Sequence, residues 1–92
     1  MSTFLAEVRV MLKPSVNDPQ GLSIRNALRT LGFDGVADVR AGKLIAVTVE
    51  APTPEGARQQ VSLMADKLLA NPVIETFEVS LRDAAGTPDS AP

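Results

Sequence analysis

The chain has 92 residues, 45% of them hydrophobic and 22% charged, with a formal net charge of −2. That length makes one domain with one small core, burying about 60–65% of the surface its unfolded form exposes. With no cysteine there are no disulfides or thiolate metal sites. An acidic balance and three aromatics (Phe4, Phe33 and Phe77) argue against a nucleic-acid partner, which needs a basic face or stacking platforms.

Residues 4–13 alternate: Ala6, Val8, Val10 and Leu12 point one way and Glu7, Arg9 and Lys13 the other, which predicts a half-buried strand. Met1 to Arg9 lacks a basic n-region and a long apolar h-region, so no signal peptide is expected. No apolar run approaches ~18 residues, no membrane partner is expected, and a cytoplasmic location is the default. Pro14 removes an amide donor and ends the strand. Asp18 is placed to cap a helix with Pro19 at its first position. Ile24, Ala27, Leu28 and Leu31 follow at helical spacing, and Gly32 fits a left-handed stop, so a helix is predicted over 18–31.

Residues 36–41 and 43–50 read as two strands joined by a tight Ala41-Gly42 turn, with Ile45, Val47 and Val49 facing inward. Pro52 ends the second. Thr53 caps a second helix with Pro54 at its first position, and Ala57, Val61, Met64, Ala65 and Leu68 keep helical spacing until Asn71-Pro72. Residues 73–81 form a last strand, with Phe77, Val79 and Leu81 on one side. Residues 1–82 are one domain, and 83–92 are polar and rich in Pro and Gly, predicting a disordered tail. The order βαββαβ predicts an α+β, two-layer sandwich: an antiparallel sheet with two helices on one face, the ferredoxin-like arrangement. The other face would carry Leu5, Met11, Leu44 and Ala46 among Glu7, Arg9, Thr48 and Glu50. A chain without staples gains stability by self-association, so a homodimer or homotetramer is expected.

Catalytic chemistry is sparse. With no His and no Cys, the usual base near neutral pH and the most reactive nucleophile are missing. The eleven carboxylates form no metal-binding motif and read as caps, turn residues and solvated faces, and no glycine cluster resembles a phosphate-cradling loop, Gly32 and Gly35 being spaced as a helix stop and a turn. No metal, cofactor or catalytic residue is assigned to this chain. Three stretches carry more punctuation than their connections need: Lys13-Pro14-Ser15-Val16-Asn17-Asp18-Pro19-Gln20-Gly21, Arg40-Ala41-Gly42-Lys43, and Leu68-Leu69-Ala70-Asn71-Pro72-Val73-Ile74-Glu75. Local physics alone reads them as a strand exit with a helix cap, a hairpin with basic flanks, and a helix stop running into a strand.

Together they resemble the PurS family, small subunits of phosphoribosylformylglycinamidine (FGAM) synthase. The family pattern is Lys-Pro-x-Val-x-Asp-Pro-Gln-Gly, then Ala-Leu-x-x-Leu-Gly-Phe, Val-Arg-x-Gly-Lys, and Leu-Leu-Ala-Asn-Pro-Val-Ile-Glu. The chain matches it in order from about residue 5 to 81, through Ala27 to Phe33 and Val39 to Lys43 as well as the loops above. Ser15, Asn17 and Met64 depart from it, standing where Gly, an apolar residue and Cys are common.

The resemblance implies a non-catalytic assembly subunit in de novo purine biosynthesis. It would link a glutaminase subunit to a large synthetase subunit and support ammonia transfer, with ATP and Mg used by the complex and none bound here. It makes Lys13, Pro14, Asp18, Pro19, Gln20, Gly21, Arg40, Gly42, Lys43 and Asn71 candidate subunit contacts. The alternative is an ACT-like small-molecule-sensing module, since Asp18-Pro19-Gln20-Gly21-Leu22 loosely resembles that family's loop, one residue short. An RNA-recognition fold lacks the aromatics it needs on its central strands.

Overall fold

The computed structural model describes residues 1–83. The element order is β1 (Ser2–Leu12), α1 (Pro19–Thr30), β2 (Gly42–Ala51), α2 (Pro54–Met64), which continues as one π-helical turn (Ala65–Leu69), and β3 (Glu75–Asp83). The α+β class and the antiparallel sheet are as expected. Of the expected tail, Asp83 belongs to β3, and 84–92 lie outside the described residues.

The sheet has three strands, not four, in the order β2-β1-β3. Val8 of β1 lies opposite Ile45 of β2 and Val79 of β3, and Phe4 lies opposite Val49 and Asp83. The strand expected over 36–41 and its Ala41-Gly42 hairpin do not form. Gly42 is already paired with Met11 at the start of β2, which leaves no residues for a turn. The Ala41 amide that a ladder would have used donates to a carboxylate instead.

The period-2 pattern works as read. Phe4, Ala6, Val8 and Val10 are buried under α2, flanked by half-buried Ile45, Val47 and Val49 on one side and Phe77, Val79 and Leu81 on the other. α2 contributes Ala57 and Val61, and the π turn contributes Ala65. Its N-cap is Thr53, whose Oγ1 accepts from the Gly56 amide at 3.0 Å. The π turn shifts the helical phase by one residue. Leu68, expected in the core stripe, is 82% exposed, and Leu69 packs against the core in its place.

The first helix forms where its caps place it, but it does not lie over the sheet. In α1 only Gly21 is buried, and Leu31 at its C-cap is 73% exposed. Beyond it, Gly32 takes φ +104 and residues 31–36 fold back, with Phe33 N–H donating to the Leu28 carbonyl and Arg29 Nε to the Val36 carbonyl, both at 3.0 Å. α1 and this return segment form an arm that leaves the sheet and comes back at one place. On the sheet face opposite α2, Arg9 pairs with Glu78 at 3.8 Å and Arg82 with Glu7 at 3.4 Å, beside exposed Leu44.

Candidate functional site

The three punctuated stretches meet at one end of the sheet. β1 leaves there at Leu12, β2 enters at Gly42 and β3 enters at Glu75. Lys13 N–H donates to the Ile74 carbonyl at 2.8 Å, which joins the first loop to the third. Arg40 Nη2 donates to the carbonyls of Lys13 at 3.0 Å and Val16 at 2.8 Å, which joins the second loop to the first. Asp18 uses both carboxylate oxygens. Oδ1 accepts from Gly21 N–H at 2.9 Å as the helix cap, and Oδ2 accepts from Ala41 N–H at 2.7 Å.

Charge-assisted bonds of this kind favour the ionised carboxylate. The Gly21 amide first, then the Ala41 amide, with a smaller contribution from the Arg40 guanidinium, hold the Asp18 carboxyl below its ordinary value of 3.8. Backbone crowding completes the joint. At Gly21 a Cβ would run into the Val39 carbonyl oxygen. At Gly42 it would run into Met11 Sδ and stand 2.5 Å from the Val10 carbonyl oxygen.

The third loop is an Asx-type turn. Asn71 Oδ1 accepts from Val73 N–H at 3.0 Å, and Asn71 N–H donates to Glu75 Oε1 at 2.7 Å. A shallow cleft of about 260 Å³ opens between the loops, lined by Leu12, Asp18, Gln20, Gly42, Lys43 and Glu75 among others. Among the described residues no group of three or more His, Cys, Asp or Glu is placed to hold a metal ion. The cleft offers one ammonium, two carboxylates, an amide and exposed backbone. It is equipped to recognise a polar surface.

The ten candidate contacts therefore divide by what they touch. Asp18, Gly21, Arg40, Gly42 and Asn71 are engaged within the chain. Pro14, Pro19, Gln20 and Lys43 are exposed and Lys13 is half-buried. Sequence reasoning missed the backbone partners: the carbonyls of Val16 and Ile74 and the Ala41 amide. They carry no side-chain signal. Glu75 could have been read, since its four-residue offset from Asn71 suits a turn cap.

A model of the PurS family, described as phosphoribosylformylglycinamidine (FGAM) synthase, matches residues 5–83. The chain belongs to the PurS family. A PurS subunit of phosphoribosylformylglycinamidine synthase from Synechocystis is 46% identical over 88 residues, 94% of this chain and 88% of the relative. A chain of the PurLQS structure from Thermotoga maritima superposes with a TM-score of 0.82 at 35% identity, covering 89% of this chain and 100% of that one. PurS from Methanocaldococcus jannaschii gives 0.78 at 36% identity, covering 87% and 96%. PurS membership does not favour the ligand-sensing alternative. The three-stranded sheet with two helices matches the fold of these PurS structures. No helix among the described residues is long and apolar enough to cross a membrane.

Proposed function

We propose that this chain is the non-catalytic small subunit of FGAM synthase in purine biosynthesis, acting in the cytoplasm. It holds a glutaminase subunit and a large synthetase subunit together and supports passage of ammonia between them. The observation that carries this reading is the match of 89% of this chain to the whole of a chain of the PurLQS structure. The composition agrees with it, since a chain without His or Cys has little to offer as base or nucleophile. ATP and Mg serve the complex, and this chain contributes contacts.

The contact surfaces are the loop end of the sheet and the α1 arm. At the loop end, Lys13, Pro14, Pro19, Gln20 and Lys43 touch the other subunits. The apolar face of α1 receives a second copy of this chain, giving a homodimer or homotetramer. Along that face and just past its end, Ile24, Leu31 and Phe33 are exposed, and one helix, ~10 Å across, leaves the outer strands of a three-stranded sheet half-covered. The arm thus lacks a surface and the sheet flanks lack a cover, which two copies satisfy reciprocally.

The test is co-purification of the tagged full chain, followed by reconstitution. The expected result is recovery of an ATP-dependent synthetase and a glutaminase, with glutamine-dependent FGAM formation lost when this chain is left out. Recovery of neither subunit, or full glutamine-dependent activity without this chain, overturns the reading.

A further inference from the structure

The α1 arm spans residues 19–38 and touches the rest of the molecule through a narrow neck. The chain goes out through 13–18 and returns through 39–42. Every hydrogen bond described between these two stretches comes from two side chains: Arg40 Nη2 to the Lys13 and Val16 carbonyls, and Asp18 Oδ2 from the Ala41 amide. Packing adds the close passage of Gly21 against the Val39 carbonyl. No apolar face of α1 is pressed on the sheet to fix its angle.

We propose that Asp18 and Arg40 are positioning residues, a two-point latch that sets the direction in which α1 leaves the sheet and so determines whether the arm meets a second copy of this chain. This rests on the reading of α1 as a contact surface. Twelve residues at 1.5 Å each make α1 about 18 Å long. A change of ~20° at the neck would move its far end by about 6 Å, enough to take Leu31 and Phe33 out of register with any pocket. The latch also gives Asp18 and Arg40 a role that the charges of Lys13 and Lys43 in the same loops do not share. The two residues hold backbone across 23 to 27 residues of separation, where the packing is confined to Gly21 against Val39.

The absence of native cysteine allows a direct measurement. Spin labels are placed at Ser23→Cys on α1 and Thr48→Cys on β2, both exposed, in the full chain diluted with unlabelled protein. Distances are read in the parent, Arg40→Ala and Asp18→Asn, beside far-UV circular dichroism, amide exchange at Ala41 and capture of the synthetase subunit. Asp18→Asn keeps the shape but turns an amide donor towards one of the two N–H groups.

The expected result is one narrow distance in the parent and a broad distribution in both variants. The sheet signal is unchanged, Ala41 exchange is faster by about tenfold or more, and self-association and capture are weakened. A distribution that stays narrow in both variants overturns the latch, and if capture nevertheless falls, the two residues are direct contacts. Loss of the sheet signal in both also overturns it, because the residues would then hold the whole fold. Should even the parent fail to capture the synthetase, the function proposed above fails while the label distances still decide the latch.

Discussion

Asp18 caps a helix with one oxygen and ties down a strand entry with the other, so its ionisation is coupled to the neck. Its carboxyl titrates lower in the folded chain than in the unfolded one, so the unfolded state takes up the proton first as pH falls. The stability it confers is complete above the ordinary value of 3.8 and is lost as pH drops through the lower folded value. The Ala41 amide resonance should hold its position from neutral pH down to about 4 and shift only below that; an acid titration followed by NMR checks it. Gly21 makes a different prediction. Gly21→Ala places a methyl against the Val39 carbonyl, and backbone cannot yield as a side-chain tip can. It should cost about 1–3 kcal/mol, read as a lower denaturation midpoint with an unchanged slope.

At the scale of elements, regular periods and proline-marked caps were legible. Both helix starts, the inward faces of β1, β2 and β3, and the Gly32 stop follow from local chemistry. What failed was non-local. Val36 to Ala41 has acceptable strand residues, but an Asp far back in the chain takes the Ala41 amide and Arg40 turns to the first loop. The site was legible as three motifs, yet not as one joint, because backbone groups make half of it. The π turn was equally hidden, since one extra residue per turn leaves no composition signal. It yields a sharp contrast between adjacent leucines. Leu68→Ser should change stability by less than ~0.5 kcal/mol, while Leu69→Ala should cost roughly 1–3 kcal/mol, reduced from a full core value because the site is half-buried. Chemical denaturation of the two variants in parallel checks this.

The body that the described residues form is elongated. Its radius of gyration is 16.6 Å and its extents are 51 × 31 × 13 Å, against about 12 Å of radius for a compact domain of this length. A thin body with an apolar arm buries too little of itself. Placing charge on the arm should separate association from folding. Leu31→Asp or Phe33→Asp, at sites 73% and 57% exposed, should leave the sheet intact and weaken self-association tenfold or more, since each apolar group covered at an interface is worth about 1.5–3 kcal/mol. Light scattering over a concentration series, with circular dichroism as the folding control, checks it.

The register of β1 against β3 has a further use. Because Phe4 lies opposite Asp83, the first strand begins beside the point where the last one finishes, at the rim farthest from the three loops. The described chain is therefore nearly a ring. A linker of a few residues from Asp83 to Ser2 would close it without touching a ladder bond, at small entropic cost. The opening could then be moved to Gly35 on the arm, where an added Cβ would meet nothing within 4 Å. Such a circular permutant would keep the sheet whole while cutting the arm into two independently tethered halves.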